Sequence, residues 1–153
     1  MKHNRRITDR ERIGWREWVS LPELGVKWIK AKIDTGARTS ALHVSHIHRV
    51  DGNNHLEFKI HPMQKRAHPV VIASSDLIEE RHIKSSNGET SLRPVIQTNL
   101  KIGDEIFPIE LTLVNRDLMG FRMLLGREAI RGRFLVDSGR SFLTGKPRRK
   151  KSI

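Results

Sequence analysis

Ala31-Lys32-Ile33-Asp34-Thr35-Gly36-Ala37 is the stretch on which the fold turns. Upstream, from Val26 to Asp34, Ile29, Ala31 and Ile33 alternate with Lys30 and Lys32, the pattern of a half-buried strand. The strand ends on a carboxylate. Thr35 can anchor the following loop through hydrogen bonds to backbone, and Gly36 has no Cβ to obstruct a chain approaching it. An Asp-Ser/Thr-Gly triplet arises by chance in roughly one chain in fifteen of this length. Its surroundings must carry the argument.

Working outward, the chain reads as short strands separated by turns. Ile13 to Val19 is a strand in which Ile13, Trp15, Glu17 and Val19 share a face, followed by a turn at Leu21-Pro22-Glu23-Leu24-Gly25. Leu42–Val50 and His55–Ile60 flank Asp51-Gly52-Asn53-Asn54, a hairpin signal. Pro69–Ala73 is apolar and β-branched. His82–Lys84 and Thr90–Ile96 flank Ser85-Ser86-Asn87-Gly88-Glu89, whose Asn-Gly pair suits positive φ at both central turn positions. Thr98–Ile102 and Phe107–Val114 turn at Gly103-Asp104, and one short helix falls near Glu128 to Ile130. Phe134–Val136 and Ser141–Leu143 close the ordered part. Many short strands with frequent turns make the chain all-β, a sandwich or barrel.

The 153 residues fit one domain, with a basic arm over 1–12, the β domain over 13–144 and a flexible basic tail over 145–153. No apolar run approaches a membrane span, and the opening MKHNRRITDRER has no apolar core of a secretory signal. With no cysteine there are no disulfides, thiolate metal sites or cysteine nucleophiles, and a cytoplasmic setting is expected. The 29 Lys+Arg against 17 Asp+Glu give a formal charge of +12, a field that attracts polyanions. Nucleic acid, anionic membrane and acidic polypeptide all fit that field. The tail Lys146-Pro147-Arg148-Arg149-Lys150-Lys151 has no aromatic residue to stack on bases.

The order of these pieces resembles the retropepsins: catalytic triplet, flap hairpin, strands, then Leu124-Leu125-Gly126-Arg127 leading into a helix. A closer resemblance is to a bacterial family named ATP-dependent zinc proteases and associated with glutamate ligases. It is carried by Ile13–Val19 with Leu21–Leu24, by Lys32–His43, by Arg93-Pro94-Val95-Ile96 and by Leu124–Glu128. The resemblance implies a closed acid-protease barrel with one short helix. Asp34, Thr35 and Gly36 would form the catalytic loop, and Ala37, Arg38, Asn87, Gly88 and Arg127 would line the substrate. It also implies a homodimer, because one triplet supplies only half of a carboxylate dyad.

Three features qualify that reading. Asp137-Ser138-Gly139 also has the triplet form, but only a short basic end follows it, so it reads as a strand end with a turn rather than a second lobe. Arg38 stands where viral retropepsins usually carry an acid. It either favours acidic substrate side chains or is solvated, or is held by a carboxylate such as Glu128. The zinc in the family name points to His43, His46 and His48. On a strand His46 and His48 share a face and His43 lies opposite, whereas zinc needs three or four converging ligands. No cofactor is therefore expected, with zinc as the alternative. No Gly-rich phosphate loop suggests ATP use.

The expected function is an aspartic-type endopeptidase acting as a homodimer on acidic or oligoglutamate-modified polypeptides. The rivals are a non-catalytic peptide-binding module of the same fold and a basic ribosome- or RNA-binding protein. Docking near a ribosomal substrate is compatible with peptidase activity.

Overall fold

Alternation along Val26–Asp34 produces strand β3, with Val26, Ile29, Ala31 and Ile33 buried and the lysines between them turned outward. The computed structural model describes residues 4–145 apart from 51, 53, 65, 67 and 86. The basic stretch Lys146–Lys151 lies outside the described residues, as do two positions of the Asp51–Asn54 turn.

Strands β1 (Glu11–Gly14) and β2 (Arg16–Leu21) precede β3, and β4 (Ser40–Arg49), β5 (His55–Ile60) and β6 (Val71–Asp76) follow it. Next come β7 (Glu79–Lys84), β8 (Thr90–Ile102), β9 (Glu105–Val114) and β10 (Met123–Gly126). The helix α1 (Arg127–Ile130) and β11 (Phe134–Asp137) complete the order. Six strands run β10-β3-β2-β8-β9-β4, and β4 pairs back onto β10, which closes the barrel. The fold is thus all-β, as the strand pattern suggests, and of the two architectures that pattern leaves open it is the closed barrel with a short helix that the family resemblance implies. Closure leaves those six strands without a free edge.

Ile29, Leu42, Ile96, Leu111, Leu113 and Met123, from five of the barrel strands, are at most 1% exposed and meet inside. Burying each such side chain contributes roughly 1.5–3 kcal/mol. β5 and β6 extend the sheet from β4, and β7 lies along the first half of β8. β8 is one strand of 13 residues where the sequence suggests two. Its pairing changes at Val95, from β7 before it to β9 after it, so a change of partner replaces the expected break.

Three local expectations change. The predicted strand Ile13–Val19 splits at Trp15, and β1 leaves the barrel to pair in parallel with β11. Residues 5–12, read as an arm, are built into the body. Arg5 N–H donates to the Gly132 carbonyl at 2.9 Å, the Arg5 side chain pairs with Glu105, and β1 begins at Glu11. At the β7–β8 tip Gly88 alone among the described residues has positive φ, at 87°. Gly88 N–H bonds the Ser85 carbonyl at 2.9 Å, and Asn87 uses its Oδ1 to accept from Glu89 N–H at 3.1 Å. The loop is a wider turn finished by a left-handed glycine, not a two-residue turn with both centres inverted.

Candidate active site

Asp34 is the last residue of β3, half-buried, with Thr35 and Gly36 exposed beyond it. The loop folds onto its own carboxylate. Gly36 N–H donates to Asp34 Oδ1 at 3.0 Å, and Ala37 N–H donates to the Asp34 carbonyl at 3.2 Å. Asp34 Oδ2 has no hydrogen-bond partner among the described residues, and Asp34 itself is on the wall of a cleft.

β10 holds this loop by threading between its two flanking strands. It pairs in parallel with β3, Gly126 opposite Asp34, and antiparallel with β4. A Cβ at Gly126 would come within 2.6 Å of the Thr39 carbonyl oxygen, so the crossing requires glycine. Gly126 N–H donates to Ser40 Oγ at 3.1 Å. The first N–H groups of α1 then satisfy the loop: Arg127 donates to the Ala37 carbonyl at 2.8 Å and Glu128 to the Arg38 carbonyl at 3.2 Å. The Arg127 side chain donates through Nη1 to Gly36 and Thr35 carbonyls at 3.2 and 3.5 Å.

A cleft of about 1250 Å³ opens over Asp34. Gly36, Ala37, Arg38 and Arg127 line it from the loop side, and Lys84, Ser85 and Asn87 from the hairpin. The expected catalytic loop and hairpin tip are therefore brought to one space, although neither Thr35 nor Gly88 at the apex is on its wall. Arg38 is 76% exposed at its side chain with Nε 3.8 Å from Glu128, so it borders the cleft while loosely tied to α1.

The Asp137 loop repeats the Asp34 geometry. Gly139 N–H donates to Asp137 Oδ1 at 3.1 Å, and Arg140 N–H to the Asp137 carbonyl at 3.2 Å. Gly14 lies opposite Asp137 in the parallel β1–β11 pair, as Gly126 lies opposite Asp34, and Trp15 N–H reaches the Arg140 carbonyl at 2.8 Å. Asp137 is not on the cleft wall. The second triplet thus keeps the turn and lacks the cleft.

The histidines disperse. His43 Nδ1 bonds the Arg116 carbonyl at 2.8 Å, and His48 Nε2 lies 3.5 Å from Glu57. His46 occupies a bulge in β4 at φ 53°, which interrupts the alternation that would place it on one face with His48. Among the described residues no three His, Cys, Asp or Glu side chains converge as a metal site, so these histidines do not fit zinc.

Two charged residues escaped sequence reasoning. Glu17 is fully buried, and its carboxylate accepts from the N–H groups of Gly14, Leu143 and Thr144 at 2.7–3.0 Å and from Thr144 Oγ1 at 2.7 Å. It fastens the segment after β11 onto β2. The signal was a Glu on the apolar face shared by Ile13 and Val19. Arg93, 7% exposed, lies on the cleft wall, and only its place before the apolar run Val95-Ile96 hinted at burial.

A family model described as retropepsin-like aspartic endopeptidase RimB matches residues 12–147. Curated relatives include proteins named probable alpha-L-glutamate ligase. That of Shewanella pealeana is 44% identical over 87% of this chain. Those of Desulfotalea psychrophila and Parasynechococcus marenigrum are 46% and 47% identical over 82%. The chain spans about 30% of the length of these relatives. A crystal structure from Legionella pneumophila, of a protein with unknown function, matches with a TM-score of 0.69 at 27% identity. That match covers 88% of this chain and 98% of the other.

Proposed function

The chain belongs to the RimB-like family of retropepsin-like aspartic endopeptidases, and from that premise we propose that it hydrolyses peptide bonds as a homodimer. The observation that carries the reading is Asp34, fixed through Oδ1 to Gly36 N–H and lining a cleft bordered by the β7–β8 hairpin.

Two Asp34 carboxylates brought together across a twofold axis share one proton, because both cannot ionise cheaply side by side. One carboxylate takes a proton from the attacking water. The other donates to the oxygen of the scissile carbonyl, and the tetrahedral intermediate then collapses with protonation of the leaving nitrogen. Thr35 and Gly36 shape the loop, Arg127 holds its carbonyls, and the hairpin closes over the substrate backbone and excludes water. No step requires a metal.

The substrate we propose is an acidic polypeptide, with oligoglutamate the leading candidate. The +12 charge and Arg38 at the cleft favour it, as does the glutamate ligase name of relatives that contain a matching region. Among the described residues no helix is long and apolar enough to cross a membrane, and we propose a cytoplasmic setting where ribosomal polypeptides are within reach.

The test incubates wild-type and Asp34→Asn protein with a substrate protein bearing an oligoglutamate tail, with and without a chelator, and reads intact mass. Cleavage that survives the chelator and disappears in the variant is expected. Loss of cleavage with chelator would return attention to the histidines. An inactive, monomeric wild type would make the chain a peptide-binding module of the same fold.

A further inference from the structure

Arg81 and Arg93 stand directly opposite each other in the β7–β8 pair, so their side chains share a face. Like charges in that relation destabilise a sheet. Arg81 is compensated, by Glu79 and by Glu110 at 3.2 Å. Arg93 is not. It is 7% exposed, and its one hydrogen bond among the described residues runs from Nε to Ser91 Oγ at 3.1 Å. No carboxylate among them lies within ion-pair distance of it. Its charged neighbour is Arg116, exposed on the same cleft wall. Burial first, and the field of Arg116 second, hold the Arg93 guanidinium below its ordinary pKa range.

A guanidinium has five N–H donors in a planar fork, of which Arg93 uses one among the described residues. Keeping a cation buried without an anion is costly, and replacing such groups with apolar side chains often stabilises a protein. The cost is offset when an anion arrives from the cleft. The fork matches a carboxylate in two parallel hydrogen bonds.

We propose that Arg93 is the specificity-determining residue of the cleft, receiving the carboxylate of an acidic side chain of the bound polypeptide with Arg116 beside it. The proposal rests on reading the cleft as a peptide groove, and it does not depend on the chemical step.

The test uses the full chain carrying Asp34→Asn, so that nothing is cleaved, and titrates acetylated tetraglutamate and tetraglutamine by calorimetry. Tetraglutamate binds more tightly, and adding Arg93→Met weakens it roughly 10- to 100-fold, the range for a charge-assisted hydrogen-bonded pair. Tetraglutamine affinity stays where it was. Lys101→Gln, the same charge change at an exposed site on β8 outside the cleft, leaves the preference intact. The Arg93→Met melting temperature holds or rises, which a purely structural arginine would not allow.

Should Arg93→Met fail to fold, Arg93→Lys carries the test: it keeps the charge, loses the fork and lowers the preference several-fold. An unchanged tetraglutamate preference in either folded variant overturns the proposal. So does a shift in the dimer equilibrium of Arg93→Met with glutamate affinity unmoved, which would assign the guanidinium to the subunit contact. The peptidase reading fails separately. If wild-type protein cleaves nothing while Arg93-dependent binding persists, the inference stands and the catalytic assignment falls.

Discussion

Nη1 of Arg127 lies 3.2 Å from the carbonyl oxygen of Gly36, so the first residue of α1 holds the loop that presents Asp34. The backbone N–H of the same residue holds Ala37 at 2.8 Å. Substitution leaves the backbone bond and removes only the side-chain one. Charge-assisted hydrogen bonds contribute about 1.5–3 kcal/mol. We therefore expect Arg127→Ala to lower kcat for peptide cleavage about 10- to 100-fold, with KM changed much less, because the loop loses its geometry rather than the substrate its contacts. Arg127→Lys, which can reach one carbonyl, should recover part of kcat. A change confined to KM would assign Arg127 to substrate binding instead.

The matched Asp34 and Asp137 loops make a controlled comparison. In both, an asparagine Oδ1 can still accept the glycine N–H held at 3.0 Å by Asp34 and at 3.1 Å by Asp137. Neither Asp34→Asn nor Asp137→Asn should change stability by more than about 0.5 kcal/mol, as for other substitutions that break no buried feature. Cleavage should vanish in Asp34→Asn and persist in Asp137→Asn. Peptide mass spectrometry on both variants decides it, and loss of activity in Asp137→Asn would place the second triplet in the chemistry.

Glu17 joins the two ends of the domain through one buried carboxylate with four donors. Glu17→Gln would direct an amide N–H₂ at backbone N–H groups, leaving buried donors unsatisfied at about 1–3 kcal/mol each. Urea unfolding should show a loss of about 3 kcal/mol. Hydrogen exchange at the Leu143 and Thr144 amides should accelerate more than exchange in β8 and β9, because those two amides lose their acceptor directly.

Most of the barrel was legible because its strands alternate cleanly, as Ile29, Ala31 and Ile33 do against the lysines of β3. The Asp34 loop was legible because its triplet, its entering strand and Leu124–Arg127 each carry a local signal. What escaped is non-local. The change of partner at Val95 depends on two other strands, and the β1–β11 pairing joins residues more than a hundred positions apart. Glu17 and Arg93 escaped because charge ordinarily marks the surface, and only tertiary partners, or a cleft, make their burial intelligible.

Glycines separate steric demand from conformational demand. At Gly126 a new Cβ would sit 2.6 Å from the Thr39 carbonyl oxygen and 2.9 Å from that of Ala37, both backbone atoms. Gly126→Ala must push β10 off the loop, and we expect a loss of about 2–4 kcal/mol together with loss of cleavage. At Gly88 nothing lies within 4 Å, but φ is 87°. Gly88→Ala should cost only about 1 kcal/mol, the penalty of a left-handed residue, and its effect should fall on the hairpin. Equal losses in the two variants would mean that β10 can shift and that the crossing does not fix the loop.

Glu11 predicts how stability follows pH. The residue is exposed overall, but its Oε1 lies against Gly103. Burial of the carboxyl, then the charges of Glu105 and Asp104, raise its pKa above the ordinary 4.5, partly opposed by Arg5. A carboxyl with a raised pKa in the folded state binds its proton more tightly there than in the unfolded chain. Stability therefore falls as pH rises from the ordinary carboxylate value through the raised one. Glu11→Gln removes that loss, so the variant should be more stable than wild type above the raised pKa. The difference should shrink as pH falls and disappear below the ordinary value. Urea midpoints of both proteins at about pH 4 and about pH 7, bracketing the carboxylate range, give the test. An advantage for Glu11→Gln that is the same at both pH values would show that the side chain acts through packing, with its charge playing no part.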